Sequence, residues 1–264
     1  MTQCSGWQSP GWSNPNLLVN WDFRNPVNQR GQIYYNSGYG IDMWLSAAQV
    51  SDINIKDGYV SIKNYFVQKF EQDMEFGVKQ YTFSCALTNG AICAAQIIDN
   101  NATYENLCEG LSVATQNNEL YLWSENRTTD IQAVKLEVGS ISTLALDLMQ
   151  PSNYAAELRK CQRYLQVIKL YGRAPFVYTA GKARNVVKYD QVQLRPNMRI
   201  APSIAKIISN KFFSEKNNSW MHDGTLTLNN SCVSEVNVYN NYYSILGDDN
   251  VLDTELIFLL SAEL

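Results

Sequence analysis

The stretch 111–124, LSVATQNNELYLWS, reads as two strand-like runs, LSVATQ and ELYLWS, hinged at Gln116-Asn117-Asn118-Glu119. β-Branched, aromatic and aliphatic residues fill the runs, and asparagine tolerates the left-handed backbone that a two-residue hairpin demands. The same pattern continues on both sides. From Asn16 to about Thr143 it recurs as NLLVNWDF, GQIYY, VSDINI, GYVSI, YFVQKFE, QYTFSCALT, AICAAQII and IQAVKLEVG, each cut at Asn, Asp or Gly. Lys56-Asp57-Gly58-Tyr59 has the chemistry of a second tight turn. Short strands at this spacing predict an antiparallel sandwich.

One segment departs from the strand pattern. In PSNYAAELRKCQRYLQVIK, residues 151–169, the positions Tyr154, Leu158, Cys161, Leu165 and Ile168 follow helical spacing. Pro151 precedes it, and Ser152 or Asn153 supplies an N-cap, so one helix of about four turns is expected. Strand signals return in APFVYTAG, ARNVVKYDQVQL, SIAKIIS, TLTL, SEVNVYNNYYSIL and ELIFLLSAEL, which predict a second β-sandwich from about Gly172 to Leu264. The expected class is all-β: two sandwiches joined by a single α-helix.

Composition narrows the function. The chain has 264 residues, 45% of them hydrophobic and only 17% charged, beside 27 Asn, 16 Tyr and 6 Trp. Such a chain presents hydrogen-bonding amides and aromatic faces. A net charge of −4 argues against a partner bound through many phosphates, and no run approaches the length of a membrane span, so neither nucleic acid nor membrane insertion is expected. The start, MTQCSGWQSPGW, has neither the basic nor the apolar region of a classical export signal. Six cysteines without a C-x-x-C pair read as free thiols in a reducing cytoplasm, with Cys85 and Cys93 placed to pair across a hairpin.

Catalytic signatures are sparse. The single histidine, His222, has no G-x-S-x-G elbow to serve, and the phosphate-loop, dinucleotide and H-E-x-x-H patterns are absent. A binding role is expected, with no required cofactor. Eight aromatic residues fall within 38 positions, from Trp7 to Trp44. Among them Trp21, Phe23 and Trp44 sit in apolar runs and read as core. Tyr34, Tyr35 and Tyr39 sit among Gly, Asn and Ser and are candidate contacts for the C–H faces of sugars. Asp22 and Glu137, in the first and last strand runs of the sandwich, would share a structural calcium if those strands were neighbours.

Three stretches carry a family resemblance. NLLVNWDF (16–23), PVNQRG (26–31) and KLEVGSIST (135–143) resemble the N-L-L-x-N-x-D-F opening, P-V-N-Q-R-G turn and closing K-L-E-x-G-x-x-x-T strand of the carbohydrate-binding-module-like jelly roll found in bacteriophage and prophage tail proteins. The helix YAAELRKCQRYLQ resembles the E-L-x-x-C-Q-R-Y-Y segment that follows that jelly roll. LRPNMRIAPSI and the final SAEL resemble the M-R-x-x-P-x strand and A-E-L ending of tail-fibre tip domains.

The resemblance implies a segment of unknown role over 1–15, a jelly roll over 16–145, a linking helix over 151–170 and a tip domain over 172–264. It implies a homotrimeric tail-fibre or receptor-binding component of a virion, made in the host cytoplasm, whose partners are a bacterial surface polysaccharide or other receptor and further tail proteins. Tip loops 215–223 and 237–243 would contribute Trp220, Tyr239, Tyr242 and Tyr243. Two other roles fit the same chain: a virion decoration or assembly protein that binds no sugar, and a surface-polysaccharide depolymerase working through paired carboxylates.

Overall fold

The computed structural model describes residues 12–46, 51–70, 74–76, 78–97, 99–150, 152–172, 184–214, 218–221, 225–229, 231–245 and 251–262. The chain divides into two compact units, Met1–Leu158 and Arg159–Leu264. Both are built of β-strands, and the fold is all-β. No helix among the described residues is long and apolar enough to cross a membrane.

The first unit contains β1 (Tyr34–Tyr35), β2 (Gly38–Tyr39), β3 (Trp44–Ser46), β4 (Asp52–Lys56), β5 (Tyr59–Lys69), β6 (Tyr81–Leu87), β7 (Ile92–Ile97), β8 (Glu105–Cys108), β9 (Leu111–Gln116) and β10 (Glu119–Val138), then α1 (Leu144–Leu148), and α2 (Tyr154–Cys161) begins in it and ends in the second. Both expected hairpins form. Gln116 pairs with Glu119 across Asn117 and Asn118, whose φ angles of 51° and 62° are the left-handed pair such a turn needs. Lys56 pairs with Tyr59 across Asp57 and Gly58.

Long strands organise this unit. β10 pairs with β5 and β9 over its first part, shifts register between Ser124 and Thr129, and pairs with β5 and β6 over its second part. A bulge lets one strand turn from one set of neighbours to another. The core gathers around Phe23, Trp44 and Phe66, all fully buried. Trp44 stacks on Phe66 at 4.5 Å between centroids, and Phe23 meets Trp44 edge-on at 5.4 Å. The expectation that Phe23 and Trp44 are core holds.

Two local expectations are corrected. NLLVNWDF is not a regular strand: it contributes one bridge, Asp22 to Ala133. Two backbone bonds to β10, Leu17 N–H to the Leu136 carbonyl at 2.8 Å and Val134 N–H to the Trp21 carbonyl at 3.0 Å, are supplemented by side chains. The Asn16 amide donates to the Val134 carbonyl at 2.9 Å while its Oδ1 accepts the Leu18 and Leu136 N–H groups at 3.0 and 3.1 Å. The helix is also half the expected length. α2 ends at Cys161, and Leu165 and Ile168 belong to strand β11, where Ile168 pairs with Phe258. The spacing of Leu165 and Ile168 fits a helix, but sheet pairing overrode it. Asn153 does cap α2, its Oδ1 accepting the Ala156 N–H at 3.1 Å.

The second unit contains β11 (Leu165–Gly172), β12 (Arg184–Gln193), β13 (Ser203–Ser214), β14 (Ser219–Met221), β15 (Thr225–Asn229), β16 (Glu235–Ile245) and β17 (Val251–Ser261). Two antiparallel sheets, ordered β11-β17-β13-β14 and β12-β16-β15, face each other as a sandwich. Leu256, Phe258 and Leu260 of β17 pack against Val236 and Val238 of β16 and Leu226 of β15. A reciprocal amide pair crosses this core, with Asn240 donating to Asn210 at 2.7 Å and Asn210 returning the bond at 3.2 Å. The expected aromatic loop at 237–243 is therefore part of a strand, and Asn240 is buried within it.

Candidate functional site

The alternation of β10 separates two kinds of residue. Leu120 and Leu122 are fully buried, while Glu119, Tyr121 and Trp123 point to the opposite face. Register brings Tyr65 of β5 directly opposite Trp123, and Ser112 of β9 lies on its other side. The Tyr65 and Trp123 rings lie nearly parallel at 6.1 Å and 14°, and Tyr104, just before β8, meets Trp123 edge-on at 5.4 Å. Tyr104 remains exposed.

Polar groups surround these rings. The Tyr121 hydroxyl donates to Glu119 Oε2 at 2.5 Å, and Glu119 Oε1 meets Lys69 Nζ at 3.0 Å. The Ser112 hydroxyl donates to Oδ1 of the exposed Asn106 at 3.1 Å. Burial, and then the neighbouring Tyr65, push the Tyr104 hydroxyl above its ordinary range; burial, and then Glu119, do the same for Tyr121. Both hydroxyls stay protonated at neutral pH. The patch thus offers aromatic faces, neutral hydroxyls, an amide and one neutralised ion pair, which suits a neutral polyhydroxylated ligand.

None of these aromatic residues was among the expected contacts. A sequence signal did exist for two of them: Tyr121 and Trp123 alternate with leucines within ELYLWS. Tyr65 and Tyr104 join them only through strand register and loop path.

The expected tyrosines take separate roles. Tyr34 on β1 is 50% exposed and its hydroxyl donates to Asp52 at 2.8 Å, while Tyr39 on β2 lies beneath the Arg30 guanidinium at 5.5 Å from the ring centroid. Tyr35 is buried, so its expected role as a contact is corrected. Its hydroxyl accepts the Ile41 N–H at 2.9 Å, and its ring fills the space where a side chain on Gly40 would stand. In the second unit Trp220 on β14 is 42% exposed, but Lys211 Nζ sits over its ring at 4.8 Å and Phe213 meets its edge at 5.7 Å. Tyr239 is a half-buried strand residue opposite Thr227. The side chains of Tyr242 and Tyr243, and all of His222, lie outside the described residues.

Asp22 and Glu137 do not share an ion site. Asp22 lies opposite Ala133, and Glu137 is four residues further along β10, about 13 Å by strand rise. Each carboxylate has its own donors. Arg24 binds both Asp22 oxygens at 2.7 Å, and the Ser152 N–H adds a bond at 3.2 Å. Burial pushes the Asp22 carboxyl up, but Arg24 and Ser152 outweigh it and hold the group below its ordinary range. Glu137 accepts the Thr143 N–H at 2.7 Å and its hydroxyl at 2.6 Å. No group of three His, Cys, Asp or Glu side chains among the described residues is placed to hold a metal.

The remaining motif residues also do structural work. Asn20 donates to the Val27 and Asp42 carbonyls at 2.8 and 2.9 Å and accepts the Val27 N–H at 2.8 Å; its own N–H reaches Glu157 of α2 at 2.7 Å. Asp42 receives Gln29 Nε2 at 2.7 Å and Arg30 at 3.4 Å. Lys135, fully buried, donates to Ser13, Thr143 and Asp147 at 2.5, 2.8 and 2.6 Å. These side chains fix irregular backbone and are spent on it, so the candidate binding residues lie elsewhere.

Comparison with known proteins adds little. A scan against family models gives no match, and a search of curated proteins gives none. Among solved structures, two of discoidin II from Dictyostelium discoideum are similar at low level. The wild-type protein is 10% identical with a TM-score of 0.30 over 94% of each chain. The native recombinant form is 11% identical with a TM-score of 0.27 over 82% of this chain and 84% of that one. Scores of that size leave the strand arrangement and the site to be argued from this chain's own residues.

Proposed function

We propose that this chain is a host-attachment component of a bacteriophage tail, and that its N-terminal unit binds neutral surface polysaccharide at the Tyr65–Trp123–Tyr104 patch. The observation that carries the reading is the patch itself: three aromatic rings packed together on a sheet face and bordered by neutral hydroxyls, an amide and one neutralised ion pair. The tail assignment rests on the sequence motifs, whose residues are the ones that shape the unit's backbone. Binding rather than catalysis is the role proposed, because the patch's carboxylate, Glu119, is engaged by Lys69 and Tyr121. Affinity per site would be modest and raised by several copies on a particle, with a homotrimer as the proposed assembly.

The test is titration of the purified protein with capsular or lipopolysaccharide glycans from candidate hosts, read by calorimetry and tryptophan fluorescence. Trp123→Ala is expected to weaken binding roughly tenfold or more, the loss of one stacking partner, with the circular dichroism spectrum unchanged. Full retention of binding by the variant would remove the patch from the reading, and shortening of the glycan would establish a depolymerase.

One observation favours the decoration or assembly role as a second reading. Among the described residues, β13 pairs with β14 only from Phe212 to Ser214, while Ile207 and Ile208 on the same strand are 43% and 51% exposed. An exposed apolar strand edge invites pairing with another chain. Light scattering that returned an oligomer lacking any glycan affinity would support this role.

A further inference from the structure

Three cysteines of the N-terminal unit form a cluster that the binding reading does not use. Cys85 of β6 stands directly opposite Cys93 of β7, and β7 packs against β8, which ends at Cys108. Cys93 lies close enough to Cys108 to raise its thiol, and both lie close enough to Cys85 to raise that one. All three are free thiols; Cys85 is fully buried, whereas Cys93 and Cys108 are half-buried and within reach of a small reagent. In the sheet β8 pairs with β9, so the contact with β7 is made by side chains rather than by a backbone ladder.

We propose that Cys93 and Cys108 are a disulfide-forming pair, closed by a small-molecule disulfide of the glutathione type, and that the bond staples β8 to β7. The thiolate of one cysteine attacks a sulfur of oxidised glutathione, forming a mixed disulfide and expelling one glutathione thiolate. The second cysteine's thiolate then attacks the protein sulfur of that mixed disulfide and expels the other. Two electrons pass from the cysteine sulfurs to the two glutathiones, which also take up the two thiol protons. Cys85 is left out because burial pushes its thiol well above the ordinary range, so it supplies little thiolate to attack the mixed disulfide. Burial and the Cys93 thiol push Cys108 up to about 11, so closure speeds up as pH rises from neutrality toward 10.

The experiment incubates the intact protein with oxidised glutathione at pH 7 and pH 9, then counts thiols in denaturant and maps peptides without reduction. Chymotryptic sites at Leu87 and Tyr104 place the three cysteines on separate peptides. The expected result is a linked peptide pair holding Cys93 and Cys108, with glutathione on the exposed Cys232 read as a mixed disulfide and not as a link, faster closure at pH 9, and a Tm higher by about 5–10 °C from closing the intervening loop. Cys85→Ser should form the same link, while Cys93→Ser and Cys108→Ser should form no link between protein cysteines, the remaining member of the pair stopping at the mixed disulfide with glutathione. A Cys85–Cys93 link, or six thiols intact at pH 9, would overturn the proposal. Because the wild-type peptide map decides by itself, the result does not depend on how the serine variants fold or on whether a glycan is bound.

Discussion

Two lysine–glutamate pairs of the N-terminal unit stand in opposite surroundings. Lys135 and Glu137 are both 0% exposed, at 3.7 Å, with Asp147, Ser13 and Thr143 completing the cluster. Lys69 and Glu119, at 3.0 Å, keep 33% and 19% of their side-chain surface in water beside the aromatic patch. The same two residue types therefore serve different ends. A buried charge without its partner is costly, so the first pair locks the chain's path. The second is worth little to stability and borders the aromatic patch.

The sharpest way to break this comparison is to remove each lysine. Lys135→Met leaves Glu137 and Asp147 without their cation and is expected to destabilise the unit by about 3–5 kcal/mol. Lys69→Met is expected to change stability by less than about 1 kcal/mol. Urea denaturation followed by tryptophan fluorescence reads this unit selectively, since Trp220 alone of the six tryptophans lies after residue 158. Equal losses from the two variants would show that burial does not set the difference.

Asn20→Ala probes the same locked region with a neutral side chain. It strips partners from the Val27 N–H and from the Val27 and Asp42 carbonyls, and it forces alanine into a φ of 56°. A loss of roughly 2–4 kcal/mol is expected in the same denaturation assay. A change in Trp123-dependent glycan binding without a change in stability would move Asn20 from scaffold to site.

Asp22 adds a pH dependence. Its carboxyl titrates lower folded than unfolded, so the stability it contributes is fully present above the unfolded carboxylate range, near about pH 4, and is lost as pH falls through the lower folded value. Asp22→Asn is expected to cost roughly 2 kcal/mol at pH 7 and to match wild type more closely at pH 3. Thermal scans from pH 3 to pH 7 check this; parallel curves for the two proteins would mean that Asp22 does not titrate with folding.

Much of the fold was legible in the sequence. Hairpins at Asn117-Asn118 and Asp57-Gly58 are local events decided by turn chemistry, and the alternating runs beside them fix which residues face the core. Less legible were places where partners come from far away. NLLVNWDF has strand-like composition, yet Asn16 and Asn20 hold its backbone through bonds to residues 134, 136, 27 and 42 that no local window contains. Leu165 and Ile168 continue the helical spacing of α2, but pairing with β17 decides their state. The aromatic patch was hidden for the same reason: Trp123 gains Tyr65 through register and Tyr104 through a loop, 58 and 19 positions away along the chain.

Tyr34 and Tyr35 make the finest comparison, because they are neighbours of the same type on one two-residue strand. Successive side chains on a strand point to opposite faces, which leaves Tyr34 in solvent against Asp52 and sends Tyr35 into the core beneath Ile41. Tyr35→Phe deletes the only atom that the change removes, yet it leaves the buried Ile41 N–H without its acceptor, at an expected cost of about 1 to 2 kcal/mol. Tyr34→Phe removes the same atom where water replaces it, and Tm should move by no more than about a degree. A thermal scan of the two variants separates face from composition. If Tyr34→Phe also weakened glycan binding, the site would extend from the aromatic patch to β1, and the tyrosine chosen for its exposed setting in the sequence would regain a functional part.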